Sequence, residues 1–216
     1  MENKMIGFYD YTVIATYIGF AFAVSGIRCA YNGNILMAVV CLMGAGFCDA
    51  FDGKIARTKK NRNEQQKKFG IQIDSLSDMV CFGVLPAMIG CALCDGEGLF
   101  VPIMVFYALT ALIRLAYFNV SEEERQSKTD EVRKYYLGLP VTASCLLVPL
   151  LFAVSPFCGD DFQMIYGIGL AIIGILHISP MKIRKPGGKI LPILACIGLA
   201  IAATLILEYN AGLLIF

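Results

Sequence analysis

The sequence predicts an all-α, polytopic membrane protein that forms a single domain over residues 1–216. Apolar residues make up 57% of the chain and charged residues only 16%, whereas soluble domains carry about a quarter charged residues. Long apolar runs recur along the chain, and lysines and arginines gather between alternate runs. The runs are too long for barrel strands, so a bundle of transmembrane helices is expected.

The apolar runs predict the helices in chain order. A helix crosses a hydrocarbon core of roughly 30 Å with about 20 residues. Residues 35–47 reach this length only if the helix continues through Arg57, and residues 79–93 only if it begins near Gly70. We expect about seven spans, with six or eight as alternatives. The runs are residues 11–27, 35–47, 79–93, 99–118, 139–157, 162–179 and 190–207.

The distribution of lysine and arginine predicts the orientation. If the N-terminus is cytoplasmic and seven helices alternate, every basic residue except Arg28 lies on the cytoplasmic side. An excess of lysine and arginine is typical of cytoplasmic loops. We expect a multi-pass protein of the cell (plasma) membrane with its acidic motifs at the cytoplasmic face. The net charge of +1 gives no indication of nucleic-acid binding.

Four aspartates lie where the predicted helices should be apolar. A charge near the bilayer centre costs about 3 kcal/mol on insertion scales. Asp49 and Asp52 are three residues apart, and Asp74 and Asp78 are four apart, so each pair shares a helix face. Antiparallel neighbouring helices would bring both pairs to one depth. Salt bridges to nearby basic residues would account for one or two of these acids, but not for four.

Converging carboxylates repel one another unless a cation lies between them. Ligands that offer only oxygen favour Mg²⁺ or Mn²⁺, with Ca²⁺ also possible, over zinc. Gly53, Ala56 and Gly70 lie near the acids, where small residues either admit a ligand or pack helices together. Arg57 follows, and its guanidinium suits phosphate oxygens. Together these residues predict a diphosphate substrate.

One stretch of this chain resembles the signature of the CDP-alcohol phosphotransferases. It reads Asp49-x-x-Asp52-Gly53-x-x-Ala56-Arg57, followed by Gly70-x-x-x-Asp74-x-x-x-Asp78. Residues 69–87, 114–119 and 138–140 are similar to the serine-using branch of that family. Met79 follows the last aspartate, where the glycerol-phosphate branch has lysine and the inositol-phosphate branch arginine. Twelve residues separate Arg57 from Gly70 instead of the usual eight, at a loop-closure cost of only about 0.3–0.4 kcal/mol.

The resemblance implies a role for each matched position. Divalent metal would be held by Asp49, Asp52, Asp74 and Asp78, and Asp78 would also be the general base. CDP or phosphate would contact Gly53, Ala56, Arg57 and Gly70, and Thr12 corresponds to a family threonine near the nucleotide. The partners implied are CDP-diacylglycerol, L-serine, membrane lipid and a second copy of the chain in a homodimer.

The serine acceptor requires further groups. Its carboxylate needs a cation, and Arg114 is the candidate, with Arg133 and Lys134 as alternatives. Asn119 is expected to bond the amino group. Arg114 has a second interpretation, because an arginine at a helix end also anchors a helix at the membrane interface.

Two other functions remain open from sequence. The same chemistry could use another polar alcohol, such as glycerol phosphate or inositol phosphate. A cation transporter would also place carboxylates in the membrane, but transporters commonly have repeats and sites near the midplane. Here the acids lie at helix ends and no repeat is visible, so the transporter is disfavoured.

Overall fold

The computed structural model describes residues 6–59, 61, 63–94, 98, 100–128, 135–184 and 190–213. Within these ranges the side chains of residues 57, 126–128, 190 and 191 are not described. The predictions for Arg133 and Lys134, and for the Arg57 side chain, fall outside this description.

The described chain is almost entirely helical, as predicted. A 3₁₀ turn at Tyr11–Val13 leads into the first helix, and a π-helical turn at Met79–Val84 joins two of the later ones. The helices are α1 (Ile14–Tyr31), α2 (Ile35–Thr58), α3 (Glu64–Asp78), α4 (Leu85–Leu93), α5 (Val101–Lys128), α6 (Ser144–Ala153), α7 (Phe162–Ile178) and α8 (Ile190–Asn210).

Six helical segments of the described chain are long and apolar enough to cross a membrane. The seventh predicted span, residues 139–157, forms a shorter apolar segment, Val141–Phe157, in which α6 has only 10 residues. Pro149 lies inside α6 and Pro156 follows it, and each removes a backbone donor. The helical membrane bundle is therefore confirmed at the lower end of the expected number of spans.

Two predicted helix boundaries are wrong. The third span begins at Glu64 rather than near Gly70, because Asn63 and Gln66 form a capping box that starts α3 inside the expected loop. The fourth span does not end at residue 118. It continues as α5 to Lys128, and on this extension Arg125 bonds Glu122 at 2.6 Å. Arg114 consequently lies within α5 rather than at its end.

A short antiparallel ladder departs from the all-α prediction. Strand β1 (Tyr135–Leu137) pairs with β2 (Lys182–Arg184), with Tyr136 opposite Ile183. The ladder forms because the segments that follow α5 and α7 come together. Gly138 turns the chain with φ of 73°, and its amide donates to the Met181 carbonyl at 2.8 Å.

Small residues allow the helices to approach around the acidic motifs. A side chain at Gly26 of α1 would lie 2.9 Å from the Cβ of Cys41 on α2, and one at Gly46 of α2 would collide with the thiol of Cys145 on α6. Close approach through small residues is how membrane helices gain van der Waals contact. As a result, α2 and its aspartates are held between α1 and α6.

Candidate active site

The two aspartate pairs converge, as their spacing predicted. Asp49 lies on α2, and Asp74 and Asp78 lie on α3. One carboxylate oxygen from each of these three residues lies within 4.8 Å of the other two. All three are half-buried. Carboxylates this close form a concentrated negative site near one end of the bundle.

Asp52 lies at the edge of this cluster. Its carboxylate contacts that of Asp74 and accepts a bond from the hydroxyl of Thr16 on α1 at 3.4 Å. It is not among the three carboxylates that lie closest together, so its predicted role as a fourth metal ligand stays a prediction. The structure therefore separates a triad, Asp49, Asp74 and Asp78, from a fourth carboxylate oriented by α1.

A cleft opens beside the carboxylates between α1, α2 and α3. The polar residues that line it are Asp49, Asp52, Asp78, Thr16 and Ser77. The buried hydroxyl of Ser77 donates to the Thr16 carbonyl at 3.4 Å and links α3 to α1. Neither hydroxyl was predicted from the sequence, because a single threonine or serine in an apolar helix carries no distinguishing spacing.

The structure separates the two interpretations of Gly53. A Cβ atom at Gly53 would meet no atom within 4 Å, so helix packing does not require a glycine there. An exposed backbone next to Asp52 instead leaves room for a ligand to lie against α2. Ala56 is half-buried one turn further along α2, and Gly70 is half-buried one turn before Asp74.

An N-terminal segment lies against the same end of the bundle. Asp10 accepts the amide of Thr12 at 2.8 Å, the Thr12 hydroxyl, and the ammonium of Lys59 at 2.9 Å. The Thr12 bonds, followed by the Lys59 bond, lower the pKa of Asp10 from 3.8 to about 2. Thr12 is buried and engaged by Asp10, so its contact with a nucleotide stays a prediction. Asp10 and Lys59 are 49 residues apart, and no sequence signal marked their pairing.

The predicted serine-binding residues lie on α5. Asn119 accepts the hydroxyl of Ser75 at 3.0 Å, which places it beside α3 between Asp74 and Asp78. Arg114 is only 6% exposed, and its guanidinium lies 5.3 Å from the centre of the Phe118 ring. This low exposure favours a role inside the bundle over anchoring at the membrane interface, and both interpretations of Arg114 stay predictions.

The donor set fits a hard divalent cation. Three carboxylate oxygens within 4.8 Å of one another form an oxygen-only group, and the described cysteines contribute no ligand to it. Mg²⁺ and Mn²⁺ prefer such oxygens. The last-turn histidine of α7, His177, packs against the ring of Tyr107 at 5.4 Å instead.

The fold and the site together define a multi-pass helical membrane protein with a carboxylate cluster suited to a divalent cation. Residues 12–178 match the family model described as CDP-alcohol phosphatidyltransferase. The match covers most of the chain and includes all four aspartates, and the chain therefore belongs to this family.

Several curated relatives are named CDP-diacylglycerol–serine O-phosphatidyltransferase. One from Saccharomyces cerevisiae is 35% identical over 145 residues, which cover 64% of this chain and 51% of that protein. One from Helicobacter pylori is 26% identical over 165 residues, covering 74% of this chain and 65% of that protein. One from Bacillus subtilis is 27% identical over 159 residues, covering 72% and 78% respectively. The chain thus spans about half the length of the yeast relative and just under two thirds of the Helicobacter relative.

Proposed function

We propose that this protein transfers the phosphatidyl group from CDP-diacylglycerol to the hydroxyl of L-serine, giving phosphatidylserine and CMP. The observation that carries the proposal is the convergence of carboxylate oxygens of Asp49, Asp74 and Asp78 within 4.8 Å of one another in a bundle of membrane helices. The family match and the names of the relatives supply the chemistry that such a cluster would perform.

The carboxylates would organise the diphosphate of the donor. Asp49, Asp52 and Asp74, with Asp78, would hold Mg²⁺ or Mn²⁺. The chemistry supplied by such a cation is neutralisation of charge on the diphosphate and on the leaving group. The open backbone at Gly53 would admit the CDP group to the face of α2. Ala56 and Gly70 would border it, Arg57 would offset phosphate charge, and Thr12 would lie near the nucleotide.

Asp78 would act as the general base. It lies at the last position of α3 and lines the cleft, where the serine hydroxyl would have to enter. It would accept the proton of the serine hydroxyl as that oxygen bonds to the phosphorus that carries the lipid. The bond from this phosphorus to the CMP oxygen breaks, and CMP leaves. Holding the reactants together supplies much of the rate.

Serine would be held between α3 and α5. The guanidinium of Arg114 would pair with the serine carboxylate, and Asn119 would bond the amino group. Asn119 is beside α3 through its bond with Ser75, so it lies close to the proposed base. A zwitterionic acceptor needs both an anion-binding and a cation-binding group, and α5 offers one of each.

The membrane setting follows from the donor. CDP-diacylglycerol would keep its acyl chains in lipid while its head group enters the cleft. We propose that the site faces the cytoplasm in the plasma membrane, because the basic loops favour that orientation. We also propose a homodimer, as the family resemblance implies.

CMP release tests the proposal directly. Purified protein would receive CDP-diacylglycerol and Mg²⁺ or Mn²⁺, with L-serine, glycerol phosphate, inositol phosphate or no acceptor. We expect CMP release that depends on serine and on metal, and loss of turnover in Asp78→Asn. Asp160→Asn, an exposed turn acid, is the matched control. CMP release that responds to another acceptor and not to serine would refute the proposed acceptor.

Arg114→Ala tests the serine site separately. We expect the KM for serine to rise by about tenfold or more, because a charge-assisted bond contributes roughly 1.5–3 kcal/mol. The KM for CDP-diacylglycerol should stay the same. An unchanged serine KM would show that Arg114 does not bind the acceptor.

A further inference from the structure

A change of helical pitch occurs directly after Asp78. The chain is helical from Glu64 to Leu93, but Met79–Val84 forms a π-helical turn between α3 and α4. The amide of Leu85 bonds the carbonyl of Val80, five residues back rather than four. Single π turns inside α-helices are frequently found at functional sites. This π turn rotates α3, which carries the aspartates, about the helix axis relative to the apolar α4.

Pro86, just beyond this turn, leaves a backbone carbonyl without its usual hydrogen-bond donor. Proline has no N–H, so it cannot give the Phe82 carbonyl the bond that residue 86 would donate in an α-helix. Phe82 is fully buried in an apolar bundle, where water does not replace a missing donor. The Phe82 carbonyl therefore needs a donor from another helix.

Tyr107 of α5 supplies that donor. Its hydroxyl donates to the Phe82 carbonyl at 2.6 Å, and its side chain is fully buried. The hydroxyl of Ser144, on α6, is a more distant donor to the same oxygen at 3.4 Å. Tyr107 thus ties α5 to the π turn at the carbonyl that proline leaves exposed.

The π turn bears on Asp78 through the geometry of the helix. A π turn inserts one extra residue, which rotates the later part of the helix by about 100° relative to a regular α-helix. Phe82, one turn after Asp78, lines the same cleft as Asp49 and Asp78. If the turn relaxed to α-helical pitch, the face of α3 that carries Asp78 would rotate relative to the buried residues of α4, Leu85 and Ile89, so both could not keep their present positions. The direction of Asp78 towards Asp49 and Asp74 is therefore coupled to the turn.

We propose that Tyr107 is a positioning residue for the carboxylate cluster. By bonding the Phe82 carbonyl it holds the π turn, and the turn directs Asp78 at Asp49 and Asp74. The expected effect of Tyr107 on catalysis rests on the proposed function. Its structural part, the arrangement of the three carboxylates, can be measured independently as metal affinity.

Tyr166 of α7 provides a matched control, because its hydroxyl bonds a carbonyl of the same helix as Phe82. It is also fully buried, and its hydroxyl donates to the Pro86 carbonyl at 2.8 Å. Tyr107→Phe and Tyr166→Phe each delete one buried hydroxyl bonded to a backbone carbonyl of this helix. Only the first of these bonds involves the π turn. A general loss of stability would appear in both variants, and misplacement of Asp78 only in Tyr107→Phe.

The test measures Mn²⁺ binding by the decrease in the free-ion electron paramagnetic resonance signal, and serine-dependent CMP release by the full-length protein. In Tyr107→Phe we expect the Mn²⁺ dissociation constant to rise and kcat to fall, each by about three- to tenfold. This is the size of effect expected from the loss of one buried hydrogen bond. Tyr166→Phe should keep both values within twofold. Pro86→Ala restores a backbone donor one turn beyond Phe82, so Tyr107→Phe/Pro86→Ala should recover most of the affinity lost by Tyr107→Phe.

Three results would overturn the inference. The first is unchanged Mn²⁺ affinity in Tyr107→Phe. The second is an equal loss in Tyr166→Phe, which would make the effect one of stability alone. The third is a double variant no better than Tyr107→Phe. Failure of the proposed function would look different, because wild-type protein would then bind Mn²⁺ with the predicted pattern among variants but release no serine-dependent CMP.

Discussion

Replacing Asp74 with asparagine should stabilise the metal-free protein and remove its stabilisation by metal. Asp74 contributes one of three carboxylate oxygens that lie within 4.8 Å of one another. When both are ionised, two carboxylates 4.8 Å apart repel by about 3.5 kcal/mol at an effective dielectric constant of 20. The substitution removes two of the three repulsions. It also replaces a charged oxygen ligand with a neutral amide oxygen, which weakens the attraction of the site for a hard cation.

The net gain is smaller than this sum, because the carboxylates are half-buried and solvent screens them. We expect about 1–2 kcal/mol, which raises the unfolding temperature of the metal-free variant by about 2–8 °C for a chain of this size. Wild-type protein should gain about 2.7 kcal/mol at a metal concentration of 100 times Kd, whereas Asp74→Asn should gain almost nothing. The order of stability of the two proteins therefore reverses when metal is added.

The assay can use the protein's own thiols. The chain has no tryptophan but nine cysteines, so a thiol-reactive fluorophore reports helix unfolding in detergent. Wild type, Asp74→Asn and the exposed control Asp160→Asn would be heated with a chelator and then with excess Mg²⁺ or Mn²⁺. The reasoning is refuted if Asp74→Asn unfolds below wild type in chelator. It is also refuted if metal stabilises both proteins equally.

Three further predictions address the edges of the site. Thr16→Val removes the hydroxyl bonded to Asp52, and should lower kcat/KM by about two- to tenfold. Gly53→Leu adds a side chain in open space, so the KM for CDP-diacylglycerol should rise while the unfolding temperature is kept. Asp10→Asn removes the ion pair with Lys59. Because the folded pKa of Asp10 is about 2 against an ordinary 3.8, wild type should unfold at a higher temperature than the variant above about pH 4, and this difference should vanish as pH falls through 2.

Each of these has a control and a contradicting result. Thr204→Val removes an exposed hydroxyl bonded within its own helix, and equal activity loss there would exclude a specific role for Thr16. Gly53→Ala should raise the same KM less than Gly53→Leu. An unchanged KM in Gly53→Leu would show that no substrate lies against α2. For Asp10, a difference in unfolding temperature from Asp10→Asn that persists undiminished well below pH 2 would contradict the assigned ion pair, and Asp160→Asn controls for loss of charge.

The local features of the chain were predictable because they depend on residues close in sequence. Apolar runs determine where helices lie, since lipid leaves backbone groups no partners but one another. The spacing within each aspartate pair fixes a common helix face, and the pairs converge as expected. The start of α3 could also have been found, because Asn63 and Gln66 are a capping-box pattern visible in the sequence.

Only the tertiary structure decided the contacts between distant segments. Packing of α1 against α2 and α3 placed Thr16 on Asp52, and the N-terminal segment brought Asp10 to Lys59. The bond from Tyr107 to the Phe82 carbonyl joins residues 25 positions apart. Such pairs have no fixed spacing, so helical periodicity carries no information about them. The sequence by itself determined that carboxylates would meet in a membrane helix bundle, whereas the packing of α1 and α5 decided which groups orient them.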